Sequence, residues 1–130
     1  MALNDSKELN LMKRFLPFVA ALALAAPLAA PASTTATRLA GVTGPGMTIS
    51  VKKAGKKVTT LKPGKYTITV ADKSSAHDFV LTGPGIRNKM ITGLAFKGSK
   101  TVTVTLKKGK YEYYCTPHRS LGMKGFITVR

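Results

Sequence analysis

The stretch that decides the fold lies near the C-terminus and reads GKYEYYCTPHRSLGMKGFITV, from Gly109 to Val129. Its first seven residues alternate, so that Tyr111, Tyr113 and Cys115 share one face of an extended chain. Alternation with a period of two residues is typical of a β-strand with one buried face. If the two tyrosines face the core, the thiol at the end of the strand points inward as well.

The rest of the chain extends this pattern. Apolar residues alternate with serine and threonine over residues 47–51, 66–70, 102–106 and 127–129. Residues 53–56 predict a hairpin tip, and Gly64 and Gly109 each open a strand. Residues 82–99 are the least regular and predict a long crossover loop with at most one edge strand. Short strands, frequent turns and the lack of a helical period after residue 46 predict a single all-β domain, an antiparallel Greek-key β-sandwich or barrel.

Residues 1–32 differ from the rest and predict a secretory signal peptide. Lys13 and Arg14 precede an apolar run over residues 15–30, and small residues follow before Ser33. An uncleaved membrane anchor is the alternative, although a membrane span needs roughly 20 apolar residues. Residues 33–46, rich in Ser, Thr, Ala and Gly, predict a flexible linker, which leaves 47–130 as the folded domain. We therefore expect an exported protein, either periplasmic or extracellular, including the cell surface.

The charge is strongly positive, with 21 Lys and Arg against 5 Asp and Glu in 130 residues. A basic excess is compatible with nucleic acid, an anionic membrane or wall polymer, or an acidic protein as partner. Nucleic acid is disfavoured, because no aromatic stacking platform lies among the basic residues and an exported protein rarely meets DNA. The single cysteine excludes a disulfide framework and every multi-cysteine metal site within one chain.

Four side chains predict a metal site. His118 follows the only cysteine, Cys115, by three residues, Met123 follows His118 by five, and the other histidine, His77, begins an apolar run. Two imidazoles, a thiolate and a weak axial thioether are the ligand set of electron-transfer copper sites, although zinc can use the same residues. Met90 is a second candidate for the axial position.

The pattern G-x-Y-x-Y-Y-C-x-P-H-x-x-x-G-M-x-G over residues 109–125, with His77 upstream, strongly resembles the cupredoxins. Within this type 1 blue copper family the resemblance is closest to plastocyanin-like domains. It implies that His77, Cys115, His118 and Met123 bind one mononuclear copper ion.

The resemblance also implies contacts around the ligands. Asp78, where the family commonly has Asn, is expected to tie the two ligand loops together through Thr116 and to donate its backbone N–H to the Cys115 sulfur. Pro117 has no N–H and so removes one further donor to that sulfur.

The function implied is that of a small exported one-electron carrier and not of an enzyme, because copper enzymes need further histidines and this chain has two. A copper-buffering or copper-delivery protein with the same ligands is the alternative, and a metal-free basic adhesive domain is a third. We expect a monomer that serves an acidic redox protein, a cytochrome or an oxidase. Docking is expected near the ligand His118, at Leu121, at Arg119 and at Tyr114, whose ring is expected to face outward.

Overall fold

The computed structural model describes residues 25–130. Residues 33–130 form one compact unit, and residues 25–36 have no regular secondary structure. Most of the predicted signal peptide, residues 1–24, lies outside the described residues. Within the described part of the chain, no helix is long and apolar enough to span a membrane.

The described residues form ten strands and one short 3₁₀ helix. The strands are β1 (Thr37–Thr43), β2 (Ile49–Lys53), β3 (Lys56–Lys57), β4 (Thr60–Leu61), β5 (Gly64–Asp72), β6 (Phe79–Gly83), β7 (Ile86–Thr92), β8 (Gly98–Leu106), β9 (Gly109–Tyr114) and β10 (Lys124–Val129). The 3₁₀ helix spans Thr116–Leu121, between β9 and β10.

The strands form two five-stranded sheets, in the orders β3-β2-β1-β5-β8 and β4-β10-β9-β6-β7. The predicted β-sandwich is therefore confirmed. Most pairings are antiparallel, as expected, but β1 pairs with β5 and β4 pairs with β10 in parallel, so that both sheets are mixed.

Alternating apolar residues of both sheets form one core between them. Tyr111 and Tyr113 are fully buried there, and the Tyr113 ring stacks on Phe79 at 5.7 Å between centroids. The Tyr111 hydroxyl donates to the Pro84 carbonyl at 2.5 Å and accepts the Lys107 N–H at 2.9 Å. Buried tyrosines normally need such partners for their hydroxyls, so these bonds fix β9 against its neighbours as well as filling the core.

The linker predicted over residues 33–46 is wrong for 37–43, which form β1 in the middle of a sheet. Leu39 is buried in the core. Gly41 lets β1 lie close to the side chain of Val70 on β5, because a Cβ on Gly41 would be 3.0 Å from it. Small residues in this stretch indicate tight packing and not flexibility. The folded unit therefore begins before residue 47.

The irregular stretch 82–99 also differs from the prediction of a long loop. Most of it is strand, with the end of β6, all of β7 and the start of β8, and β7 is the expected edge strand. The hairpin tip is confirmed between β2 and β3, where Ala54 and Gly55 both have positive φ. Gly64 and Gly109 open β5 and β9, as expected.

If β1 is part of the core, Leu39→Ala is expected to lower the free energy of unfolding by about 2–5 kcal/mol, the usual cost of truncating a buried leucine. Leu121→Ala is the matched control, because Leu121 is 70% exposed, and its effect is expected to stay within about 0.5 kcal/mol. Denaturant titration followed by circular dichroism measures both, and equal effects would show that β1 contributes no core packing.

Candidate metal centre

Three donor atoms converge at one end of the sandwich. Nδ1 of His77 lies 3.1 Å from Nδ1 of His118, and these atoms lie 3.6 Å and 3.5 Å from Sγ of Cys115. His77 and Cys115 are buried, and His118 is partly exposed. The structure therefore brings together the two histidines and the cysteine singled out in the sequence.

The triangle formed by these atoms has the size of a metal site. A point equidistant from all three lies about 2.0 Å from each, which is close to the usual length of a metal–imidazole bond of about 2.0–2.1 Å. A nearly equilateral N₂S set matches the trigonal His₂Cys arrangement of electron-transfer copper sites. The residues present therefore fit copper.

His77 reaches the site from the turn between β5 and β6. Its N–H donates to the Ser74 carbonyl at 3.2 Å, and Ser74 N–H donates to Asp72 at 3.2 Å. The end of β1 closes on the ring, because a Cβ on Gly44 would lie 3.0 Å from Cδ2 of His77. Gly44 also has a positive φ of 74°, so both space and conformation favour glycine there.

The other candidate ligands lie on the loop between β9 and β10, which folds back on itself. Cys115 N–H donates to the Met123 carbonyl at 3.1 Å, and Met123 N–H donates to the His118 carbonyl at 3.1 Å. Pro117 lies at the start of the 3₁₀ helix, where its missing N–H costs nothing, and Gly122 ends the helix with φ 93°. These bonds fix the spacing between Cys115, His118 and Met123.

The two methionines considered for the axial position differ in their surroundings. Met123 is 1% exposed and is held by backbone bonds to both Cys115 and His118. Met90 is 58% exposed on the edge strand β7. Burial and linkage to the ligand loop both favour Met123.

Asp78 connects the two ligand-bearing segments. Its Oδ1 accepts the Thr116 N–H at 2.6 Å, which is the contact expected from the sequence, and its carbonyl accepts the Thr43 hydroxyl at 3.2 Å. Asp78 is buried, and its Oδ2 has no hydrogen-bond partner among the described residues. One carboxylate oxygen thus ties the loops together while the other lacks a donor.

Burial raises the pKa of the Cys115 thiol, while the backbone N–H groups of Asp78 and His118 lower it and the nearby Asp78 carboxylate raises it further. The net direction is upward, so the metal-free site holds a thiol, and binding a metal displaces its proton.

The docking residues expected from the sequence differ in accessibility. Tyr114 points away from the core, but it is only 6% exposed, because the Arg119 guanidinium lies 4.1 Å from its ring centroid and its hydroxyl donates to Asn88. The outward direction expected for Tyr114 agrees with this placement, although Arg119 covers the ring, and the part of Tyr114 in docking stays a prediction. Leu121 and Pro117 are exposed near His118.

Arg119, the second residue expected in docking, is paired with a carboxylate of the protein itself. It makes two hydrogen bonds to Glu112, at 2.8 Å and 2.7 Å, and these bonds raise the pKa of its guanidinium. This bidentate pair places Arg119 over Tyr114, so part of its charge is already compensated before any partner arrives.

Sequence reasoning missed Thr43, Gly44 and Glu112, which support the site from outside the ligand set. Thr43 shares the inward face of β1 with Leu39 and Gly41, and this alternation was the available signal. Nothing in the sequence indicated the pairing of Glu112 with Arg119, because the two residues meet only after the chain turns between β9 and the 3₁₀ helix.

Comparisons with known proteins agree with this geometry. The sequence model of the copper-binding proteins of the plastocyanin/azurin family matches residues 46–130. A plastocyanin of Prochlorothrix hollandica is 31% identical over 132 residues, covering 92% of this chain and 95% of that protein. A plastocyanin of Daucus carota is 58% identical over 31 residues, covering 24% of this chain and 31% of that protein. Among solved structures, rusticyanin from Thiobacillus ferrooxidans is similar with a TM-score of 0.51 and 25% identity, covering 72% of this chain and 76% of that one.

The contribution of Asp78 can be separated from its charge. Asp78→Ala removes the acceptor of the Thr116 N–H and is expected to lower the free energy of unfolding of the metal-free protein by about 1.5–3 kcal/mol. Asp78→Asn keeps an acceptor oxygen for the Thr116 N–H, so its loss is expected to be less than half as large. Denaturant titration of both variants checks this, and equal losses would mean that the hydrogen bond does not hold the loops.

Proposed function

The chain belongs to the plastocyanin/azurin family of copper-binding proteins, and we propose that it carries single electrons through one type 1 copper ion. The observation that carries the proposal is the triangle of His77, Cys115 and His118, held on a β-sandwich frame. Copper supplies a redox couple that gains or loses one electron without a change of ligands. The protein then has to hold the ligands in one geometry and expose an edge of the site.

We assign His77, Cys115 and His118 as the ligands, with Met123 as the weak axial ligand. Imidazoles suit both oxidation states, and thiolate and thioether favour the reduced state, so this set stabilises both members of the couple. The fully buried Cys115 and Met123 keep the sulfur ligands away from water.

Rigidity of the site supports electron transfer, because little rearrangement is then needed when the charge changes. The Asp78–Thr116 hydrogen bond joins the two ligand-bearing segments, and the bonds among Cys115, His118 and Met123 brace the loop internally. Contacts of this kind fix the orientation of the ligand side chains, so the ligand geometry changes little between the two oxidation states.

Burial also favours a carrier over a copper-buffering or copper-delivery protein. Three of the four proposed ligands are buried, and only His118 reaches the surface. Handing the ion to another protein would require those ligands to be replaced one by one, whereas electron transfer requires only contact with the His118 edge. Exposed Leu121 and Pro117 beside it would provide an apolar surface for docking.

We further propose that the protein is exported and is not an enzyme. The charged residues at the metal end suit an acidic redox partner, a cytochrome or an oxidase. Three exposed lysines lie at this end, next to the ends of β5, β8 and β10: Lys73, Lys97 and Lys124. These lysines take the role in partner docking that the sequence suggested for Arg119.

Addition of Cu(II) to the purified protein is expected to produce an intense blue absorption band and the EPR spectrum of a type 1 site. Cys115→Ser is expected to abolish the band, because the transition arises from the thiolate. A colourless adduct of the unaltered protein would overturn the proposal.

The axial position is tested by a matched pair of variants. Met123→Ala is expected to shift the band and to change the reduction potential, because the axial ligand tunes that potential. Met90→Ala is expected to leave both unchanged. The opposite pattern would assign the axial position to Met90.

Electron transfer from the reduced protein to ferricyanide, a small anionic oxidant, is expected to slow as ionic strength rises, because salt screens attraction to the metal end. Replacing Lys73, Lys97 and Lys124 with Gln is expected to slow the reaction at low salt. The control removes the same charge at the other end of the sandwich, by replacing Lys56, Lys57 and Lys62 with Gln. Its rate of electron transfer to ferricyanide, measured by stopped flow, is expected to stay close to that of the unaltered protein. Equal slowing by both triple variants would mean that only net charge matters.

A further inference from the structure

A third of the lysines and arginines in residues 25–130 lie together at the end of the sandwich opposite the metal centre. Six cations surround one groove of about 1010 Å³ there, formed by the β2–β3 hairpin, the approach to β5 and the C-terminus. We call this region the basic pole. Its cations are Lys53, Lys56, Lys57, Lys62, Lys65 and Arg130.

No carboxylate side chain balances these charges within the described residues. The three acidic side chains there are Asp72, Asp78 and Glu112: Asp72 and Asp78 flank the turn that carries His77, and Glu112 is occupied by Arg119. The Arg119–Glu112 pair is the only ion pair in residues 25–130. The charge of the basic pole is therefore available to an external anion.

The basic pole and the metal centre are separated by the length of the sandwich. Strand β5 runs from Gly64, which lines the groove, to Asp72 at the metal end, and its nine residues span about 26 Å. This distance exceeds the Debye length of about 8–10 Å at physiological ionic strength. A surface bound at one end therefore leaves the other end accessible and electrostatically independent.

The chain enters the fold at the same pole. Thr34, Thr35 and Thr37 line the groove, and β1 runs from there toward the metal end. The apolar run over residues 15–30 lies just before this point in the sequence. The short stretch of sequence between this run and the groove favours a membrane as the anionic surface that the basic pole meets.

We propose that the basic pole binds the surface of an anionic lipid bilayer and directs the metal centre away from it. Lysines held within a Debye length of an anionic membrane each contribute about 1 kcal/mol, or about a fivefold change in partition coefficient. The proposal does not require a bound metal, so it can fail while the proposed electron carrier stands.

The test measures binding of the full chain to phosphatidylcholine vesicles with and without phosphatidylglycerol, by cosedimentation at low and physiological salt. The preference for anionic lipid is the partition coefficient on vesicles with phosphatidylglycerol divided by that on vesicles without it. This ratio removes the contribution of the apolar run, because the run is the same in all variants. The unaltered protein is expected to prefer the anionic vesicles by at least tenfold, and salt should reduce this preference.

The deciding comparison uses two triple variants of equal charge. Replacing Lys56, Lys57 and Lys62 with Gln is expected to reduce the preference at least tenfold, whereas replacing Lys73, Lys97 and Lys124 with Gln should change it less than twofold. Equal losses would show that net charge alone drives binding and would overturn the proposal, as would an unaltered protein without a preference. Soluble polyphosphate is added as a competitor, at a phosphate concentration below that of the accessible lipid. Release of the protein from the vesicles would show that the basic pole prefers an anionic polymer and would overturn the proposed binding to a bilayer.

Discussion

The hydrogen bond from Thr116 N–H to the Asp78 carboxylate is the contact on which the metal centre depends. It joins the segment that carries His77 to the loop that carries Cys115 and His118, two parts of the chain about forty residues apart. Strands β6 and β9 pair up to Val80 and Tyr114, and this bond continues the connection beyond the ends of the strands to the residues beside the ligands. The bond forms because Asp78 is buried directly beside the start of the loop, so its carboxylate has few competing donors.

The sandwich supplies the rigid frame for that connection. Strand β9 ends at Tyr114 and is fixed along its length by two buried tyrosines, of which Tyr111 is bonded through its hydroxyl to both Pro84 and Lys107. Strand β1 closes the other side, with Thr43 bonded to Asp78 and Gly44 packed against His77. The geometry of the site therefore depends on contacts in both sheets, although none of its four proposed ligands lies on a strand.

Much of this could be predicted from the sequence, because side-chain alternation and ligand spacing are local properties. The alternation of Tyr111, Tyr113 and Cys115 indicated an inward thiol, and the spacing from Cys115 to Met123 indicated the metal centre. Strand β1 was missed because Gly41 adds no apolar side chain, and its burial depends on Val70 of β5 and Phe79 of β6. The contact of Arg119 with the Tyr114 ring was also missed, because it depends on the turn after β9 that brings Arg119 to Glu112.

The surplus of unpaired cations also acts on the fold itself. Eighteen of the 21 lysines and arginines lie in residues 25–130, against three acidic side chains, and only Arg119 has a carboxylate partner there. Like charges held together on a small sandwich repel one another, and unfolding relieves part of this repulsion by letting them move apart. Dissolved salt weakens that repulsion while also weakening the attraction of the lysines for anionic partners. Ionic strength thus acts on this protein in opposite directions, making the folded domain more stable and its electrostatic associations shorter-lived.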